Sequence, residues 1–293
     1  MSAVRMPATA FAEFTVGGRT LRLEYTWIDS TRSNAPLLVF LHEGLGSLSM
    51  WKGYPQALCD AAGVRGLVFS RDGYGASPPG SAQEQWPLDY MHRQAHDVLP
   101  AFFAALQITE PPWLFGHSDG GSIALLYAAA YPERLAGVIA VAPHIMVEEE
   151  SIASIAAART AYLTANLKDG LARYHDDPDA VFWRWNNIWL DPAFRAWSIE
   201  DRLPLIRCPV LAVQGANDEY GTMAQIDGIA RSVPEAHLVK LPASRHSPQR
   251  DQPAPLTAAV VEFLRKNEAY VPRHCGKKCD SRMAHRRFGS LHD

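Results

Sequence analysis

The stretch Trp113-Leu114-Phe115-Gly116-His117-Ser118-Asp119-Gly120-Gly121-Ser122 constrains the fold of this chain more than any other. Three apolar residues run into Gly-x-Ser-x-Gly, and Ile123 to Tyr131 continues as a helix-forming segment. Strand, sharp turn and helix in that order make a nucleophile elbow. In so tight a turn the residues flanking Ser118 must be small, and Gly116, Gly120 and Gly121 meet that need. The turn strains the backbone at Ser118 and pushes its hydroxyl into the open. The helix that begins at Asp119 directs its free N–H groups at the same spot. Gly-x-Ser-x-Gly alone is also the composition of an ordinary Gly-rich turn; the apolar run before it and the helical run after it separate the two.

The rest of the chain supplies a sheet for that strand. Glu13–Val16 and Leu21–Ile28 alternate apolar and polar residues around Gly17-Gly18, the pattern of a half-buried antiparallel hairpin. Leu37–Leu41, Gly66–Ser70 and Leu135–Ala142 are continuous apolar runs, as in strands covered on both faces. Helical segments over Met50–Ala62 and Tyr90–Leu106 alternate with them, which implies right-handed crossovers and a parallel sheet. From Val147 to Pro204 the rhythm breaks. Ser151–Lys168 is Ala-rich and helical, and Ala180–Leu190 carries Phe182, Trp183, Trp185, Ile188 and Trp189 at helical spacing. These aromatics either pack a small helical unit or line an apolar pocket as the inner face of a lid, and the two roles are compatible. Strands resume at Pro209–Gln214 and His237–Pro242, and a helix over Pro255–Lys266 closes the pattern. The expected organisation is a core of residues 1–146 and 205–268, a helical cap over 147–204, and a basic, non-periodic tail over 269–293 that fits a disordered segment. The tail's His274, Cys275, Cys279, His285 and His292 match no zinc spacing.

Composition narrows the function classes. A net charge of −3 argues against nucleic acid or a membrane surface as partner. No apolar run reaches the roughly 18 residues that a membrane span needs. Met1 to Gly18 has no apolar core behind a basic start, so no signal peptide is expected and a cytoplasmic location is. Cys59 and Cys208 stand alone, as reduced, buried cysteines do.

A serine hydroxyl is a poor nucleophile at pH 7. It needs a base, an acid to hold the base, and donors for the oxyanion. On a sheet with such an elbow the chain order is Ser, then Asp or Glu, then His. Asp218, in Gly215-Ala216-Asn217-Asp218-Glu219, stands at the carboxyl end of a buried strand, where sites in open α/β sheets form. His246 lies just past the next strand, whereas His237 opens it. The oxyanion donors expected are the backbone N–H of Asp119 and one from His42-Glu43-Gly44-Leu45-Gly46, placed at Gly44 with Glu43 or Leu45 as alternatives. Glu148, Glu149 and Glu150 open the cap helix, where acids suit the helix dipole.

Taken together, His42-Glu43-Gly44-Leu45-Gly46, Asp72-Gly73-Tyr74-Gly75-Ala76-Ser77, Gly116 to Gly121, Gly215 to Asp218 and His246-Ser247-Pro248 resemble the α/β-hydrolase superfamily, in the group with a helical cap between the sixth and seventh strands. The resemblance spans about residues 13–268 and implies an α/β fold: a mostly parallel central sheet with helices on both faces. It implies a cofactor-independent serine hydrolase, with no metal, acting on a small, partly apolar or aromatic ester, thioester or related acyl substrate through an acyl-enzyme. A carbon–carbon bond hydrolase of aromatic ring-fission products uses the same residues, and a ligand-binding protein on this scaffold is the non-enzymatic alternative. Many relatives have Gly where this chain has Glu43. Relatives often carry an apolar residue where Asp119 stands, and one that cleaves amino-acid esters carries Asp, so Asp119 either meets a polar substrate group or serves the helix N-terminus. Glu43, Trp51, His144 and Trp185 are the expected substrate-side residues.

Overall fold

Gly17 and Gly18 both have positive φ, +55° and +78°, the backbone that a two-residue hairpin turn requires. They join β1 (Ala10–Val16) to β2 (Arg19–Ile28), paired antiparallel from Ala10 opposite Tyr25 to Val16 opposite Arg19. The structure is a computed structural model that describes residues 9–268, apart from 30, 33 and 79–84. The tail expected over 269–293 lies outside the described residues.

The chain continues through β3 (Leu37–Leu41), a 3₁₀ turn at Ser49–Trp51, α1 (Tyr54–Ala62), β4 (Arg65–Phe69), α2 (Tyr90–Arg93), a π turn at Gln94–Val98 and α3 (Leu99–Ala105). Then come β5 (Trp113–His117), α4 (Asp119–Ala130), β6 (Gly137–Val141), α5 (Glu149–Thr164), α6 (Leu167–Leu171) and α7 (Pro178–Trp189). Short 3₁₀ turns lead to β7 (Val210–Gly215), α8 (Ala224–Ser232), β8 (His237–Leu241), α9 (Pro248–Asp251) and α10 (Pro253–Lys266). The eight strands form one sheet in the order β1-β2-β4-β3-β5-β6-β7-β8. β3 through β8 pair in parallel, and β2 meets β4 antiparallel.

The apolar runs are continuous because both faces of the sheet are covered. Along β3, Leu37, Val39 and Leu41 point into one layer, with Phe102, Leu125 and the 149–197 segment. Leu38 and Phe40 point into the other, with Leu58, Val260 and Phe263 of α1 and α10. The helix expected over 90–106 is interrupted at its centre. Pro100 has no N–H for the carbonyl of His96, and that carbonyl instead accepts from the Tyr131 hydroxyl at 2.8 Å. No helix among the described residues is long and apolar enough to cross a membrane.

α5, α6 and α7 lie in the connection between β6 and β7. Most of the aromatics there pack against one another. Phe182 stacks on Tyr162 with centroids 3.8 Å apart, and Trp189, Phe194 and Trp197 form a second group. Trp185 differs, since it reaches the loop after β3.

Candidate active site

Ser118 sits between β5 and α4 with φ +52° and ψ −120°, a conformation strained for any residue with a Cβ. The residues two positions to either side, Gly116 and Gly120, are glycines because a side chain there would clash. A Cβ on Gly116 would lie 2.2 Å from the carbonyl oxygen of Gly120, and one on Gly120 would lie 2.1 Å from that of Leu41. The helix behind Ser118 begins at Asp119, so its first N–H groups have no partner within the helix.

His246 Nε2 lies 3.0 Å from Ser118 Oγ, and His246 Nδ1 lies 2.8 Å from Asp218 Oδ1. With Nδ1–H donating to the carboxylate, Nε2 is left as an acceptor for the serine proton. The carboxylate is fixed by further donors: Gln214 Nε2 at 2.7 Å and the Tyr220 N–H at 2.8 Å. Burial works to raise the Asp218 carboxyl, but the hydrogen bond and charge of His246 and the Tyr220 N–H outweigh it and hold it below its usual value. The two loops interlock because Gly215 has no side chain: a Cβ there would lie 2.4 Å from the carbonyl oxygens of Ser244 and Arg245. The backbone of His246 is clamped as well. Its carbonyl accepts from His117 Nε2 at 2.7 Å, and its N–H donates to Glu219 Oε2 at 3.2 Å.

The loop after β3 is anchored through its carbonyls. Arg71 Nη2 donates to the Glu43 oxygen (2.8 Å), the Tyr74 hydroxyl to that of Gly44 (2.9 Å), and His175 Nε2 to that of Leu45 (3.0 Å). His42 joins the set: its Nε2 accepts from the Arg71 N–H and its Nδ1 donates to the Glu43 oxygen. Burial, with the Arg71 charge, keeps His42 neutral far below the usual imidazole range, which fits that tautomer. Trp185 covers this loop so closely that a Cβ on Gly44 would lie 2.2 Å from its Nε1. His144 lies at the end of β6 with its ring 5.8 Å from that of His246 and 4.8 Å from that of Trp189.

Two of the expected substrate-side residues face elsewhere. Trp51 is buried in the opposite layer, edge-on to Phe40 and Phe115. It turns there because the chain crosses to that face before α1. Glu43 folds back beneath the elbow, with Oε2 3.4 Å from His117 Nδ1 and Oε1 3.7 Å from Arg250. Its carboxylate also occupies the space beside Gly46, where a Cβ would lie 2.4 Å from Oε2. Asp119 offers its N–H at the helix start, but its side chain is engaged inward: Oδ2 accepts from the Tyr90 hydroxyl at 2.8 Å and lies 3.8 Å from Arg71 Nη1. A substrate amine is therefore not needed to balance its charge.

Glu148 stands at the N-cap of α5 but makes no capping hydrogen bond to its own helix. Its carboxylate accepts from the Thr222 N–H (2.8 Å) and hydroxyl (2.6 Å) and from Gln225 Nε2 (2.7 Å). Ser151 adds a bond to the Tyr220 carbonyl at 2.6 Å. The start of α5 thus holds the loop that follows Asp218. Glu148→Gln should cost about 2 kcal/mol of stability, since hydrogen bonds to a charge are worth about 1.5–3 kcal/mol each. Denaturant midpoints check this, and an unchanged midpoint would contradict it.

A family model described as the alpha/beta hydrolase fold matches residues 36–180, which hold β3, the elbow and the start of the 149–197 segment. The chain belongs to the α/β-hydrolase superfamily. As an α/β-hydrolase it is 28% identical over 281 residues to the dihydrolipoyllysine-residue acetyltransferase component of an acetoin cleaving system from Pseudomonas putida, covering 89% of this chain and 70% of that one. It is 27% identical over 189 residues to the serine hydrolase BPHL of Homo sapiens, spanning 62% of each chain. Among solved structures, the proline iminopeptidase of Mycobacterium smegmatis superposes with a TM-score of 0.70 at 20% identity, covering 88% of this α/β-hydrolase and 99% of that chain. The sequence did not single out Arg71, Tyr74, Tyr90, His117, Gln214 or Gln225 for the site. Except for Gln214, which bonds Asp218 and Gly221 nearby in the chain, these polar residues have partners far along the chain, so no local pattern gives them a role.

Proposed function

We propose that this hydrolase cleaves a carboxylic ester, thioester or related acyl bond through a covalent acyl-enzyme. The observation that carries the proposal is the unbroken hydrogen-bonded line from Ser118 Oγ through His246 to Asp218. His246 takes the proton of Ser118 as its oxygen attacks the carbonyl carbon. The negative charge on the carbonyl oxygen is received by the N–H of Asp119, at the head of α4, and by an N–H of the anchored loop at Gly44. The protonated imidazole then gives its proton to the leaving group. A water molecule, deprotonated by the same nitrogen, releases the acid and restores Ser118. Fixed carbonyls at Glu43, Gly44 and Leu45 keep the loop from reorganising when charge develops, which is where such donors gain their effect. The 147–204 segment acts as a cap, with Trp185 and His144 on the substrate side and an apolar or aromatic acyl body against them.

A fluorophosphonate probe tests the nucleophile. The wild type should be labelled and Ser118→Ala should not. Equal labelling of the two would place the reactive group elsewhere. A panel pairing p-nitrophenyl esters with vinylogous diketones then separates acyl transfer from carbon–carbon cleavage. Turnover of the diketones alone would overturn the acyl assignment.

A further inference from the structure

Arg184, on α7, has lost most of its water without gaining a counter-ion. Its exposure is 8%. Its Nε donates to the Ala180 carbonyl one turn back, at 3.0 Å, and its Nη2 has no partner. No carboxylate among the described residues lies within ion-pair distance of it. Buried charges are ordinarily paired, because an unpaired one forfeits its hydration for nothing in return.

The guanidinium lines a cavity of about 280 Å³ enclosed by the β1–β2 hairpin, the loop after β4, α2 and α7. Two other guanidiniums on its wall are already matched, Arg19 with Asp72 at 3.4 Å and Arg93 with Asp89 at 2.9 Å. The head of Arg184 lies over Gly73, where a Cβ would fall 2.5 Å from Nη2; Gly73 has φ +78°. Glycine there lets the guanidinium lie against the backbone. The aromatic part of the wall is a stacked pair, Trp86 on Tyr90, with centroids 4.5 Å apart and planes 23° apart. Tyr90 also separates the cavity from the elbow, since its hydroxyl bonds Asp119.

We infer that this cavity binds a small organic carboxylate with a planar apolar body, its carboxylate on Arg184 and its body along Trp86 and Tyr90. A guanidinium presents parallel donors that match a carboxylate, and an aromatic face accepts a flat apolar group. Because the wall combines α7 with core loops, the bound anion would also bridge the 147–204 segment to the core. The site is separate from Ser118 and does not depend on the chemistry proposed there.

Titration of benzoate into the full chain, read by calorimetry and by thermal unfolding, tests the inference. One saturable site and a Tm that rises with benzoate are expected, with Ser118→Ala binding like the wild type. Arg184→Gln should weaken benzoate by about tenfold or more, and Arg184→Lys, which keeps the charge but not the fork, should fall between. Trp86→Leu, on an irregular segment outside the helices, should also weaken it, and this variant carries the test if Arg184→Gln does not fold. Affinity equal to that of the wild type in Trp86→Leu and in the Arg184 variants would overturn the site. So would absence of saturable binding to the wild type, or binding of inorganic phosphate without benzoate.

Discussion

Asp218→Asn should lower kcat/KM by on the order of 10⁴ while leaving the fold intact, and Ser118→Ala should lower kcat by on the order of 10⁶. The difference follows from what each residue does in the proposed reaction. Ser118 makes and breaks the covalent bond, so its removal leaves only oxyanion stabilisation and binding. Asp218 sets which nitrogen of His246 carries the proton. With the carboxylate present, Nδ1–H points to Asp218 and Nε2 is free to accept from Ser118. An amide at 218 can present its NH₂ to Nδ1, which favours the tautomer with the proton on Nε2, where it cannot act as a base. Gln214 Nε2 bonds Oδ2 and the Tyr220 N–H bonds Oδ1, so the amide oxygen keeps one of these donors while the other loses its acceptor, a local cost that leaves the rest of the loop's contacts in place. Steady-state kinetics on a p-nitrophenyl ester, with circular dichroism of the variants, checks both. If Asp218→Asn retained activity within tenfold, another group would be fixing the imidazole.

The elbow was legible because its constraints are local. Gly116, Ser118 and Gly120 stand within five residues of one another, and the clash that forbids a side chain at Gly116 arises within that turn, although the one at Gly120 comes from the end of β3. The parallel strands were legible for a related reason: cover on both faces leaves continuous apolar runs such as Leu37–Leu41. Asp218 and His246 were found from strand ends, since the loops that carry them begin where apolar runs stop. Two kinds of feature escaped. α8 contains Gly228, a poor helix residue, and offers only Ile226 and Ile229 as apolar anchors. The glycine is there because a Cβ would lie 2.4 Å from Ile145 Cδ1, a contact 83 positions away in the chain. The turn of Glu43 toward His117 and Arg250 escaped likewise. Position 43 predicts a side chain near the site; whether it faces substrate or the underside of the elbow depends on groups at 117 and 250.

Acidification should destabilise this protein progressively from about pH 6.5 downward, because its buried histidines take up protons in the unfolded chain and not in the folded one. His144 is held down to about 3, by burial first and then by the charge of His246. His42 and His175 are shifted in the same direction, also chiefly by burial. Below about pH 6.5 an unfolded chain protonates these imidazoles and the folded chain does not. The unfolded state therefore binds more protons, and folding stability falls as pH falls. For His144 the loss runs from about pH 6.5 to about 3, at roughly 1.4 kcal/mol per pH unit, or on the order of 3–5 kcal/mol in all. Asp218 has the opposite ionic character: its depressed carboxyl contributes stability that is full above the ordinary carboxylate value of about 4 and is lost only below it. Between about pH 6.5 and 4 the histidines therefore lower stability on acidification, while the Asp119 carboxyl, raised chiefly by burial, acts in the opposite sense as it takes up its proton in the folded protein. Denaturant unfolding at several pH values in that interval should show His144→Asn with a shallower decline than the wild type, by about 1.4 kcal/mol per pH unit. Parallel declines would mean that His144 is protonated in the folded protein. A neutral His144 also suits the proposed chemistry, because its ring lies 5.8 Å from that of His246 and would otherwise oppose the imidazolium that forms there.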